Sequence, residues 1–411
     1  MDPATQVEPI RVIGGMALRF AALVAVGLVA WRLARPGLTP ARVARAFRVT
    51  LVTLLYLAVA TSVLDLFMTR WGFMGDNRHR GLDVMLEHRA QRPFVYRVLT
   101  PEIIRRVSDV VRAGIDPAQR SWLVRDSPLR RYARPLERWD LAKAIPFHVG
   151  YLVLLCSLLV AAFAARALAA SVYRAPPVFV DFAPAGALLL LPPTFVRAGY
   201  LYDFPELALL LLCTLCLARQ RLAAYYALFV LACLNKESSP LLVLYFAAFF
   251  ARRLPRKVWL GHVVAQLLIG AAIVIGLRIA FLDAPGEAAW FNLPANLVFL
   301  IRTQTYFAFA PVYGPLVPFP VPFNLLALFL TGFAVLWRWS GKPVEVRRAL
   351  LLVGAFLLPL YLTFGFLDEV RALGLAFPAL YLAGFHTLFD LYDRFLPAAA
   401  GPPGAPAGPD P

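Results

Sequence analysis

The side chains in this 411-residue chain that could do chemistry fall into a few short clusters, each beside an apolar block. Asp76, Asp83 and Glu87 follow one block. Asp203 and Glu206 open another, Lys236 and Glu237 sit in a short turn, and Asp283, Glu287, Asp368, Glu369 and Arg371 come later. A carboxylate at the start of a loop can serve as a general base, and an Arg or Lys beside it can hold a phosphate or another anion. In the string PFVYRVLTP, which contains Tyr96 and Arg97, the Arg is set to hold such a group at the entry of a helix. Asp76 and His79 could share a divalent cation, but two ligands lack a third, so no cofactor follows from the pattern and a divalent ion stays an open expectation. There is no Gly-rich phosphate loop and no HExxH.

The elements that must position these groups follow from composition. Hydrophobic residues make up 60% of the chain and charged residues 16%. That balance excludes a soluble enzyme, a disordered chain and a disulfide scaffold, and the uncharged blocks at residues 183–195 and 349–366 read as membrane spans. The fold class is therefore an all-α polytopic membrane protein. About eleven transmembrane helices are expected, at residues 12–33, 47–68, 144–168, 178–196, 204–217, 222–234, 240–250, 258–280, 323–337, 349–366 and 372–389. The first stretch contains Arg19 and no small-residue cleavage site follows it, so it reads as a retained span. Residues 1–396 are expected to form one helical membrane domain, and the Pro/Ala/Gly-rich tail at 397–411 to be disordered. The net charge of +17 is read as cytoplasmic loops meeting anionic lipid, with no nucleic acid as partner. Cys213 and Cys216 read as small helix-packing residues.

Every second short connection is basic: Arg32 to Arg48, Arg166 with Arg174, Arg219 with Arg221, Arg252 to Lys257, and Arg338 to Arg348. By the positive-inside rule these face the cytoplasm, which puts the amino terminus outside and gathers the acid-bearing clusters on the outer face. The long connection at 69–143 is Arg-rich, yet long segments translocate largely regardless of charge. Within it, residues 101–113 carry an apolar stripe opposite Arg105, Arg106 and Arg112. Thr100 is a candidate cap and Gly114 a candidate stop, so an amphipathic helix on the outer membrane surface is expected.

A length deficit is the most informative feature. The apolar runs on either side of residues 235–239 hold only 13 and 12 residues. At about 1.5 Å per residue each covers roughly 20 Å of a hydrocarbon core about 30 Å thick. Lys236 and Glu237 should then lie below the surface, with Asp203 and Glu206 drawn in too. Charges at that depth need a water-filled cavity or mutual pairing. A plainer reading makes Asp203 and Glu206 a capping box around Pro205, with Ser239 before Pro240 an ordinary helix start and Glu369 with Arg371 a loop pair.

Together, PFVYRVLTP, YDFPEL, LNKESS and DEVRAL, with a large first outer loop ahead of a bundle with recessed charges, resemble the GT-C superfamily of integral membrane glycosyltransferases over residues 47–389. The resemblance implies transfer of a sugar from a polyprenyl-phosphate donor to an unspecified acceptor at the periplasmic face of a bacterial inner membrane. It implies an acid of the first outer loop as base, matched by Asp76 with Asp83 as fallback. It also implies phosphate binding by Arg97, Lys236 and Arg371; beside them Tyr96, Asp203, Glu206, Glu237 and Glu369 are expected as further substrate-binding positions. Two alternatives from other classes remain: a transporter or flippase of lipid-linked substrates, and a noncatalytic membrane subunit whose recessed charges pair with one another.

Overall fold

The computed structural model describes residues 40–74, 77–133, 139–287, 289–314, 317–367 and 369–395. The expected span at 12–33, the tail at 397–411, Asp76 and Asp368 lie outside the described residues. By internal contacts the chain divides into Met1–Ser62 and Val63–Pro411. Helix α1, Pro40–Trp71, runs through that division. In the first unit it buries Tyr56 and Ala60 and exposes Val49 and Leu51.

The second unit is helical almost throughout. After α1 come α2 (Leu82–Leu86), α3 (Leu99–Gly114), α4 (Pro117–Arg125), α5 (Leu141–Val172), α6 (Pro177–Leu189), α7 (Asp203–Ala218), α8 (Leu222–Asn235), α9 (Val243–Phe250), α10 (Arg256–Ala280), α11 (Leu293–Ile301), α12 (Leu325–Leu336), α13 (Val344–Phe364) and α14 (Phe377–Phe395). The strands among the described residues, Phe309–Ala310 and Phe319–Pro320, form one antiparallel pair. Among the described residues six stretches are long and apolar enough to cross a membrane: Ala44–Met74, Leu141–Val172, Pro177–Phe195, Arg256–Ala280, Val344–Phe364 and Val370–Phe395. Three apolar stretches are shorter: Leu222–Asn235, Ser239–Phe250 and Leu325–Leu336. An all-α, membrane-type fold is thus observed.

Local sequence explains the helix ends. Asp140 caps α5 by accepting from Lys143 N at 3.1 Å, and Asp116 with Gln119 forms a reciprocal capping box on α4 beside Pro117. Helix α3 ends at Gly114, as its sequence implies, but begins at Leu99 without a side-chain cap. Thr100 does not cap it. Its hydroxyl reaches Asn235 Oδ1 at 2.6 Å, so the expected local bond is replaced by a tertiary tie between α3 and the end of α8. On the solvent side of α3, Glu102 accepts from Arg105 Nε at 2.9 Å and from Arg106 Nε at 2.5 Å.

The core lies where α5 packs along α7, α7 along α8, and α9 along α13. Fully buried Tyr225, Phe229, Tyr245 and Phe246 fill the space between them. The carboxyl end of α13 is closed from outside by Asn296 of α11. Asn296 Nδ2 donates to the Leu362 and Gly365 carbonyls at 3.0 and 2.8 Å, and its Oδ1 accepts from Leu367 N at 2.7 Å. Gly365 is required there, because a Cβ would lie 2.5 Å from the Tyr361 carbonyl and ring. One amide thus satisfies orphan groups at a helix end that a bilayer would leave without water.

Two outcomes follow. Asn296→Ala should lower the stability of the detergent-solubilised chain by roughly 1–3 kcal/mol, the cost of orphaning buried polar groups, read as a lower midpoint in heat unfolding; an unchanged midpoint would show the cap is dispensable. The Glu102 carboxyl is held at about 2, below its ordinary value of 4.5, first by the hydrogen bonds from Arg105 and Arg106. A depressed carboxyl stabilises above its unfolded value and loses that contribution as pH falls through the folded one. Protection of the α3 amides, taken relative to the intrinsic exchange rate at each pH, should therefore hold down to about pH 4.5 and fall between there and 2; a fall already near neutral pH would contradict the clamp.

Candidate functional site

Four short segments converge on one buried ionic cluster: residues 94–97, the start of α7, the turn after α8, and the 3-10 turn Val370–Ala376 that follows Glu369. Lys236 Nζ donates to Glu206 Oε2 at 2.7 Å, and both side chains are more than nine-tenths buried. Arg97 Nε donates to Glu237 Oε2 at 2.9 Å, with a second bond from its Nη2 to Oε1. Arg371 Nη1 donates to Asp203 Oδ1 at 2.9 Å, and its Nη2 bonds Glu369. The charges in the turn between the short α8 and α9 runs are therefore buried in the protein, and they are held by pairing.

Aromatic rings order the cations. Tyr200 and Tyr202 stack with centroids 5.5 Å apart and planes 6° from parallel. Arg371 lies 4.0 Å over the Tyr200 ring and Arg97 4.2 Å over the Tyr202 ring. Arg80 Nη1 donates to the Tyr200 hydroxyl at 2.8 Å. Such ring faces attract guanidinium groups and fix their planes. Asn235, 1% exposed, donates to the Tyr202 carbonyl at 3.2 Å and so ties the turn to the start of α7.

Beside the cluster opens an apolar groove of about 1820 Å³. Its walls come from α6, α7, α12, α13 and α14, and its polar lining includes Asp203, Glu206 and Arg371. On α13 the lining runs from Leu350 to Leu362, which at about 1.5 Å per residue is roughly 18 Å. Chain order puts Arg371 between the Leu362 end of α13 and the start of α14, so the charged groups sit toward one end of this length. Phe319, Pro320, Pro322 and Phe323 also line the groove, so the Pro-rich segment borders it.

Several expected site residues are elsewhere. Asp83 pairs with Lys143 Nζ at 2.5 Å on the half-exposed side of α2, and among the described contacts none joins it to the cluster. Tyr96 packs with Met85, Phe94 and Tyr200 in an apolar cluster. The capping box at the start of α7 does not form: Asp203 Oδ2 instead accepts from Tyr200 N at 2.8 Å, and Glu206 goes to Lys236, because a carboxylate buried this deeply gains more from a cation than from a helix end. Among the described residues no group of three His, Cys, Asp or Glu is placed to hold a metal ion. The residues that sequence reasoning missed are Arg80, Tyr200 and Tyr202. The alternation Tyr-Leu-Tyr directly before Asp203 was the available signal. No family, curated protein or solved structure compared with the chain matches it.

Lys236→Ala should destabilise the chain by about 3–5 kcal/mol, since it strands a buried carboxylate. The double variant Lys236→Ala with Glu206→Ala should recover part of that loss in chemical unfolding from mixed micelles. Additive losses would contradict the pairing.

Proposed function

We propose that the chain is a membrane glycosyltransferase of the GT-C kind, taking a sugar from a polyprenyl-phosphate donor at the outer face of a bacterial inner membrane. The observation that carries this reading is the groove: apolar walls along roughly 18 Å of helix, with Arg371, Asp203 and Glu206 among its lining toward one end. That combination suits an amphiphile with a long hydrocarbon tail and an anionic, hydroxyl-bearing head. The resemblance in PFVYRVLTP, YDFPEL, LNKESS and DEVRAL supports the transfer chemistry. About eleven crossings fit if the shorter helices α7, α8, α9 and α12 count with the six long ones and the stretch at 12–33. In this topology α3 lies on the outer surface.

The reaction is a single displacement. The acceptor hydroxyl gives its proton to a loop carboxylate, Asp76 or its fallback Asp83, as its oxygen attacks the anomeric carbon. The bond from that carbon to the lipid phosphate oxygen breaks, the electron pair stays on phosphate, and configuration inverts. Arg371, with Arg97 and Lys236 behind it, stabilises the charge that develops on the leaving phosphate. The apolar walls keep competing water away. No metal is required by this scheme, and a divalent ion near Asp76 and His79 would serve only to orient the phosphate.

A second reading has an observation in its favour. Arg97, Lys236 and Arg371 all have carboxylate partners within the chain, as a noncatalytic subunit would arrange them. Purified protein offered a panel of polyprenyl-phosphate sugars, together with a bacterial envelope extract as the source of acceptor, separates the two. The enzyme reading expects release of sugar from at least one donor, abolished in Asp76→Asn while membrane insertion and yield are unchanged. Full activity in Asp76→Asn removes that residue from the base role, and no release from any donor favours the subunit.

A further inference from the structure

Among the described residues the cluster beside the groove is formally neutral. Its cations are Arg80, Arg97, Lys236 and Arg371, and its acids Asp203, Glu206, Glu237 and Glu369. Adding an anionic head to a neutral, buried set leaves one negative charge without a partner, which is costly at low dielectric. A resident carboxylate must give way.

The groove-facing cation is Arg371. It is 9% exposed, it lines the groove, and its Nε has no hydrogen-bond partner among the described residues. An unsatisfied guanidinium donor at such burial is uncommon and marks capacity for a further acceptor. Its two resident carboxylates differ. Asp203 is 7% exposed and also accepts from the Tyr200 amide, which anchors it to the start of α7. Glu369 is 16% exposed, lies outside any α-helix, and has Arg371 as its side-chain partner among the described residues. The Tyr200 ring holds the guanidinium from one face, so the cation can keep its position while one acceptor is exchanged for another.

We propose that Arg371 is the seat of the phosphate of a long-chain isoprenoid phosphate lying in the groove, and that Glu369 is its intramolecular placeholder, displaced when the phosphate binds. This rests on the lipid-phosphate reading above and adds to it the residue that selects the head and the residue that competes with it. Glu369 keeps the empty site neutral, Asp203 stays as the fixed partner, and phosphate takes the freed Nη2 together with Nε. The competing carboxylate sets a threshold: neutral isoprenoids, which offer nothing to Arg371, leave Glu369 in place.

The full chain in nanodiscs, titrated with undecaprenyl phosphate and with undecaprenol and read by native mass spectrometry, tests this. Wild type should prefer the phosphate over the alcohol. Arg371→Ala should lose that preference, and Arg371→Lys should keep part of it, which guards against misfolding as the cause. Glu369→Gln should bind the phosphate more tightly by about tenfold, because the charged competitor is gone, with alcohol binding unchanged. If wild type prefers the phosphate but Glu369→Gln binds it equally or more weakly, the placeholder is overturned while the donor reading stands. If wild type shows no preference for phosphate over alcohol, the donor reading falls as well. Displacement of the bound phosphate by an equal amount of diacyl phosphatidylglycerol would make the groove a site for bulk bilayer lipid and overturn the proposal.

Discussion

Buried charge must be neutralised locally, and the rest of this structure is arranged around that requirement. Among the described residues four cations, counting Arg80 at the Tyr200 hydroxyl, and four carboxylates lie within or beside apolar helices where an isolated ion is not tolerated. Each pair joins segments far apart in sequence. Arg97 with Glu237 binds the loop before α3 to the turn after α8, Lys236 with Glu206 binds that turn to α7, and Arg371 with Asp203 binds the last loop to α7. Because a buried ion pair is worth little more than an apolar contact when intact but costs several kcal/mol when broken, such a set specifies the register of these segments more than it adds stability. The stacked Tyr200 and Tyr202 give each of two guanidinium groups a ring of its own while letting both stay buried.

The same requirement gives the site its chemical character. A groove walled by Leu, Phe and Ala attracts hydrocarbon, and the charged groups at its head are the polar features that can orient what enters. In water Arg371 would be one surface cation among many. Here its partners have already been stripped of solvent, so exchanging one carboxylate for another anion costs little reorganisation. Pairing and ligand binding are therefore not opposed. In the proposed site the pairs are the resting state of a set of donors whose partners change when an anion binds.

Much of the fold was legible in sequence. Uncharged blocks marked the helices, and the short runs around residues 235–239 drew attention to Lys236 and Glu237, which the fold pairs with Glu206 and Arg97. Gly114 marked the end of α3. What local patterns could not reveal was partner choice. Asp203 and Glu206 have capping-box spacing, yet burial sends Glu206 to Lys236, thirty residues on, and Thr100 abandons its own helix for Asn235. Asp83 looked equivalent to the other acids, but α2 carries it to Lys143. Tyr200 and Tyr202 escaped notice because aromatic residues abound in a chain of this composition, and only the fold distinguishes those that face a guanidinium.

The central claim is that the groove and its ionic head form one binding site for a long-chain phosphate. A cryo-electron microscopy map of the full chain in nanodiscs, with undecaprenyl phosphate added, tests it most directly. The account predicts continuous density along α13 and α14, ending in a phosphate against Arg371 with Glu369 moved away. A groove closed by side chains, or the phosphate bound elsewhere with Arg371 still held by Glu369, would contradict it.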